Sequence, residues 1–299
     1  MKVNVSHRGE SASPLTIFAN LDRLATLGVF RLIPHRSYKQ TSVRIPILMY
    51  HSISETNENS LHPYFRTSTP PQMFAAQMRF LHDCGYSVLS LDEAARKFEK
   101  LEVGAAKSVV ITFDDGYQDF HTEAFPVLDR FGFTATVFLP TDYIGENVLR
   151  FKNRKCLTWD QARELQRAGI TFGSHTVSHP QLRSVSRPQM AYEVTQSKSM
   201  LEDELGRAIS SFSYPYAFPE HDSEFKRDLR TILKETGYTH GVSTILGTAS
   251  NSEDRFFLKR LPISSRDDIR FFSAKLEGAY DWLHSLQYAT KRLKARIQQ

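Results

Sequence analysis

Cysteine is almost absent from this chain of 299 residues: Cys84 and Cys156 are the only two, far apart and in no metal-binding spacing. A disulfide framework and a thiolate zinc site are therefore excluded as organising principles, and free thiols are expected. Long hydrophobic runs are missing as well, since no stretch reaches the ~18 apolar residues of a membrane span. The opening MKVNVSHRGESASP is polar, and Asp22, Arg23 and Arg31 interrupt the apolar stretch behind it, which makes a poor secretory signal. A cytoplasmic location is the default expectation. The chain also lacks internal repeats and low-complexity tracts, so nothing points to a repeat architecture.

What is present is the composition of a soluble globular protein, 40% hydrophobic and 24% charged, long enough for one large α/β domain or two small ones. Its net charge of +5 is unevenly placed. Residues 1–44 carry seven Lys or Arg against two Asp or Glu, residues 280–299 carry four against one, and the part between is net acidic. Basic ends are ordinarily solvated; the alternative is weak peripheral contact with an anionic membrane or polymer. No nucleic-acid partner is expected. Residues 15–33 suit an amphipathic helix, either packed on the main domain or lying on a membrane surface, with packing or mobility preferred.

After residue 44 the pattern alternates. Short apolar runs at Arg44–Tyr50, Tyr86–Leu89, Ser108–Phe113, Thr134–Leu139, Ile170–Gly173 and Ser210–Tyr214, and near 240–245 and 257–263, read as strands. Helical spacing appears over 71–83, 118–130, 158–168, 188–205, 226–236 and near 266–277, and Asp92 is positioned to cap a helix after Leu91. Strands alternating with helices of this length imply a mainly parallel sheet covered by helices, and seven or eight such units imply a closed or nearly closed β/α barrel.

Two motifs fall at the ends of predicted strands, where such barrels place their active sites. In TFDDG, Thr112–Gly116, two adjacent carboxylates follow a buried strand, an arrangement that is costly unless something offsets their repulsion, and a metal is the usual means. The bland alternative is a strand-to-helix turn, which Asp-Asp-Gly also suits. In GSHTVSHP, His175 and His179 are four apart, so one helical turn would bring both imidazoles to one side, although Pro180 argues against a long helix. Imidazole nitrogens with one carboxylate oxygen are standard donors for a catalytic divalent metal.

Together, TFDDG and HTVSH, with the opening PILMYHSIS, the TATVFLP strand, LTWDQARELQRAGITFGSHTVSHP and FSYPYAFPE, resemble the polysaccharide deacetylases, carbohydrate esterase family 4 with the NodB homology domain, over roughly residues 45–275. The resemblance implies a distorted (β/α)7-8 barrel with a catalytic domain over 45–279, a basic N-terminal extension over 1–44 and a basic C-terminal helix over 280–299. It implies that Asp115, His175 and His179 bind a divalent metal, zinc being the expected one, and that Asp114 is the catalytic base. The expected reaction is removal of the acetyl group from N-acetylglucosamine-type units of a glycan. A metal can lower the pKa of a bound water from 15.7 to roughly 7, Asp114 takes the proton, and the water attacks the acetamide carbonyl.

The chain departs from the family pattern twice. The third motif commonly carries an Arg that pairs with the catalytic Asp; FSYPYA has Ser213 there, followed by Pro215 and Tyr216, the latter expected to offer its backbone N–H to the oxyanion. Arg260, in LKRLPI, is the candidate substitute, against the reading of a surface arginine. The last motif usually supplies a His as general acid, and none stands near 258–264. His51, after the first strand, is the alternative, as in a branch of the family that opens with YH and carries an FxYPY third motif. Two other functions remain open: a small-molecule amide hydrolase on the same scaffold, and a catalytically silent glycan-binding protein.

Overall fold

A computed structural model describes residues 14–32, 42–56, 58, 66–102, 107–286 and 288. Eight parallel strands build the main sheet: β1 (Ile47–Tyr50), β2 (Ser87–Leu89), β3 (Ser108–Phe113), β4 (Thr136–Leu139), β5 (Thr171–Ser174), β6 (Ser211–Ser213), β7 (His240–Leu246) and β8 (Leu258–Pro262). Seven close into a ring in the order β1-β3-β4-β5-β6-β7-β8, because β1 pairs with both β3 and β8. The eighth, β2, stays outside the ring. It pairs with the first half of β3 (Ser87↔Ser108, Leu89↔Val110), while the second half of β3 pairs with β4 (Thr112↔Thr136, Phe113↔Val137). This is the expected (β/α) barrel, closed with seven strands.

Among the described residues eight α-helices accompany the strands: α1 (Pro14–Gly28), α2 (Pro71–Asp83), α3 (Leu91–Lys100), α4 (Phe125–Arg130), α5 (Trp159–Arg167), α6 (Arg187–Leu205), α7 (Ser223–Thr236) and α8 (Ile269–Leu276). Their starts follow local chemistry. Thr158 and Gln161 form a reciprocal capping box at α5, and the side chain of Asp222 accepts from the N–H of Phe225 at α7, so that helix starts before residue 226. The α3 cap is Ser90, boxed with Glu93, rather than Asp92. Asp92 lies two positions too late and instead accepts from the hydroxyl of Ser210. The expected helix over 118–130 is a π-helical turn (Phe120–Ala124) leading into α4, which puts Pro126 at the start of the regular helix, where its missing N–H costs nothing.

The period of two along the strands separates two packing layers. Val109, Ile111 and Phe113 of β3 join the large cluster beneath the surrounding helices, whereas Val110 joins Ile47, Phe138, Val242 and Leu258 in a smaller one closed by Leu91, Ala94 and Phe98 of α3. Continuing that parity, Thr112 and Asp114 follow Val110 on one face of β3, and Arg260 follows Leu258 on β8.

The helix α1 packs on the barrel. Asp22 is buried and accepts from the hydroxyl of Tyr280, Thr26 accepts from the indole of Trp282, and Phe30 stacks on Trp282 at 4.7 Å. Among the described residues no helix is long and apolar enough to cross a membrane. Most of the basic residues expected in the extension and all those of the C-terminal helix lie outside the described residues.

Candidate metal centre and active site

Asp115, His175 and His179 converge at the carboxyl ends of β3 and β5, with one donor atom from each lying within 4.8 Å of the others. Their nitrogens face a single carboxylate oxygen: His179 Nε2 is 3.3 Å and His175 Nε2 3.6 Å from Asp115 Oδ1. The second oxygen of Asp115 is engaged elsewhere, accepting from the hydroxyl of Tyr117 at 2.9 Å and from Lys152 Nζ at 3.3 Å. His175 donates its Nδ1–H to the carbonyl of Ser213 at 2.8 Å, which leaves the lone pair of Nε2 towards Asp115. Burial pushes the His179 imidazole down to about 4, so it is neutral at pH 7, the form that binds metal. This donor set fits a divalent cation: two imidazole nitrogens and one carboxylate oxygen, buried, with a supporting partner on His175 and on Asp115.

A helical turn does not bring the two histidines together. Residues 175–181 form an irregular loop in which Thr176 (φ 70°) and His179 (φ 56°) are left-handed. Thr176 accepts from the backbone N–H of His179 at 3.0 Å through its hydroxyl, a local side-chain bond that steadies the loop. Asp115 (φ 71°) and Tyr216 (φ 59°) are left-handed as well, so left-handed non-glycine backbone gathers at this centre. Such backbone persists only where surrounding contacts over-determine it. Gly116 completes the turn at φ 60°; a side chain there would lie 2.6 Å from Leu139.

Because strand parity points Asp114 inward, it meets Arg260 rather than the metal ligands. Arg260, fully buried, donates from Nη1 to Asp114 Oδ1 at 2.8 Å and from Nη2 to Oδ2 at 2.7 Å. Its remaining donors go to Ser243 O (2.9 Å), Thr112 Oγ1 (3.2 Å) and Ser213 Oγ (3.0 Å), and Ser213 in turn donates to Asp114 Oδ1 at 3.2 Å. Arg260 is therefore no surface arginine. Burial alone would raise the Asp114 carboxyl, but the charge and hydrogen bonds of Arg260, with His175 and His51 nearby, bring it down to about 2.

His51 follows β1 directly opposite Asp114, whose N–H bonds the carbonyl of Tyr50 at 3.0 Å. Burial lowers its pKa, while the charges of Asp115 and Asp114 pull the other way. Tyr216 stands at the mouth, 45% exposed, its ring 4.7 Å from that of His179, and its carbonyl is held by Thr244 at 2.9 Å. Every site residue read from the sequence thus lies in one region. Thr112, Tyr117, Ser243 and Lys152 join that region without being candidates from the motifs. Parity with Asp114 could have found Thr112; Lys152 gives no signal, because a tight turn at Lys152-Asn153 (φ 48° and 64°) delivers it between the strand pair Arg150–Phe151 and Arg154–Lys155. His121 lies at the surface beside Glu164, and Trp159 packs in the core, both apart from the reacting groups.

Comparison with known proteins agrees with this geometry. A family model described as polysaccharide deacetylase matches residues 102–241. The protein YxkH of Bacillus subtilis (strain 168), described as a polysaccharide deacetylase, is 33% identical over 235 residues, covering 79% of this chain and 77% of that one. The poly-β-1,6-N-acetyl-D-glucosamine N-deacetylase of Staphylococcus aureus (strain MSSA476) is 22% identical over 244 residues, 76% of this chain and 80% of its own. Among solved structures, the Streptococcus pyogenes deacetylase PplD in complex with acetate superposes with a TM-score of 0.69 at 28% identity, covering 79% of this chain and 99% of that one. IcaB from Ammonifex degensii shares the fold, with a TM-score of 0.63 at 19% identity over 79% of this chain and 97% of that one. The chain belongs to the polysaccharide deacetylases, metal-dependent hydrolases of carbon–nitrogen bonds.

Proposed function

We propose that this protein removes the acetyl group from N-acetylglucosamine units of a polysaccharide or glycan intermediate, using zinc held by Asp115, His175 and His179. The observation that carries this reading is the bidentate Arg260–Asp114 pair beside the triad, which supplies the partner that the third motif lacks. A bound metal would acidify a water and polarise the acetamide carbonyl. The protein's own groups do the rest. Asp114, kept ionised by Arg260, accepts a proton from the attacking water at its carboxylate. The backbone N–H of Tyr216 faces the oxyanion. His51 protonates the amine as the C–N bond breaks, giving acetate and a free amino sugar. Burial lowers the pKa of His51 in the resting protein, and the proton it delivers to the amine is the one Asp114 took from the water, drawn onto His51 by the charges of Asp115 and Asp114.

In the same reading residues 45–279 are the catalytic domain, and the basic segments 1–44 and 280–299 offer at most weak contact with an anionic surface. Half-exposed Tyr216 and Lys152 over a buried triad leave the mouth open, which favours a polymer over a small amide. The restored partner of Asp114 argues against a silent binding protein. Acetate release from N-acetylglucosamine oligomers tests the proposal: it is expected to stop with a chelator and with Asp114→Asn. Full activity of Asp114→Asn would overturn the mechanism.

A further inference from the structure

The irregular loop that carries both histidines has a left-handed Thr176 and a left-handed His179, and something must hold it against relaxation. The hydroxyl of Ser174 accepts from the N–H of Thr176 at 3.3 Å and bonds Ser197 of α6, which anchors the start of the loop. One turn earlier on the same helix face stands Glu193, only 2% exposed. Its Oε2 accepts from the backbone N–H of Val177 and of Ser178, both at 2.9 Å. Its Oε1 accepts from the Ser178 hydroxyl at 2.7 Å and from Gln189 at 3.4 Å. Among the described residues this carboxylate has no ion-pair partner. Burying a carboxylate is costly unless its oxygens are well satisfied, and here three of its four donors belong to Val177 and Ser178, two of the three residues between the histidines.

We propose that Glu193 is a positioning residue for the metal centre: by bonding Val177 and Ser178 it fixes the backbone between His175 and His179, and so sets metal affinity. The proposal rests on the reading of Asp115, His175 and His179 as metal ligands. Glu193 works by placement of acceptors, not by charge. A glutamine can keep its amide oxygen on the two N–H groups and donate to the Ser178 hydroxyl; an aspartate keeps the charge but withdraws both oxygens from the loop.

The test is zinc binding by competition with a chromophoric chelator, together with amide hydrogen exchange at Val177 and Ser178. Glu193→Ala is expected to weaken zinc about 10- to 100-fold, the usual effect of losing an outer-shell partner. Exchange at Val177 and Ser178 should accelerate while the barrel strands stay protected. Glu193→Gln is expected to stay within a few-fold of wild type. Should Glu193→Ala fail to fold, Glu193→Asp carries the test, and it is expected to lose zinc affinity despite its charge. Unchanged zinc affinity in a folded Ala or Asp variant would overturn the proposal, as would unchanged exchange at these two amides. Wild-type protein that binds no zinc would instead overturn the metal centre itself.

Discussion

Arg260 and Asp114 meet in the barrel interior through two parallel hydrogen bonds, 2.8 and 2.7 Å, both side chains essentially without solvent contact. One residue lies on the last strand of the ring and the other just beyond the second. The pair is joined by Ser213, which stands where relatives commonly carry the arginine. A small residue there leaves room for a guanidinium arriving from β8, which gives Asp114 its cation.

Arg260→Ala is expected to leave a buried carboxylate without its partner. Breaking such a pair costs about 3–5 kcal/mol, so urea denaturation should show a large loss of stability as well as lost acetate release. Arg260→Lys should not restore activity, because an ammonium cannot reproduce the two parallel bonds.

Asp114→Asn is expected to lower acetate release by about 10²- to 10⁴-fold, the usual contribution of a general base, while zinc affinity stays within a few-fold of wild type. Loss of zinc in parallel with activity would place Asp114 among the ligands instead.

His51→Ala is expected to reduce turnover without weakening zinc binding, since His51 shares the site but not the ligand set. The effect should shrink for substrates with a better leaving group, such as an N-acetyl arylamine, which need less protonation at nitrogen. An equal loss for both substrates would assign His51 a structural role.

Much of this centre was legible in the sequence, and the reasons are local. TFDDG and HTVSH sit at strand ends, and a period of two fixes which way Asp114 points once the strand Ser108–Phe113 is recognised. Arg260 was legible only as a candidate, because its meeting with Asp114 depends on ring closure between β1 and β8, a non-local pairing. The loop joining His175 to His179 is no helical turn, although the spacing of four suggests one. Its shape is set by Glu193, 14 residues downstream of His179, and by left-handed backbone at a β-branched threonine, which no local propensity favours. The α3 cap was misplaced by two residues because Ser90 and Asp92 both suit the role, and only the reciprocal bond with Glu93 decides between them.

The metal-free protein should lose stability on acidification in two stages. The unfolded His179 titrates near 6.5 and the folded one near 4, so the unfolded state binds more protons between these values and stability falls as pH drops from about 6.5 to 4. Asp114 then adds a second loss from about pH 4 to 2, because its folded carboxyl is depressed and its pairing is lost on protonation. Thermal melts from pH 7 to 2 check this. A melting temperature that is flat between pH 6.5 and 4 would contradict the neutral burial of His179.

The most direct measurement is acetate release from an N-acetylglucosamine oligomer by protein stripped with a chelator and titrated back with zinc. Activity is expected to be absent in the stripped protein, to rise in proportion to added zinc and to level off at one equivalent. Stripped protein that releases acetate at the full rate, or restored protein that releases none at any zinc concentration, would contradict a single zinc at Asp115, His175 and His179 serving deacetylation.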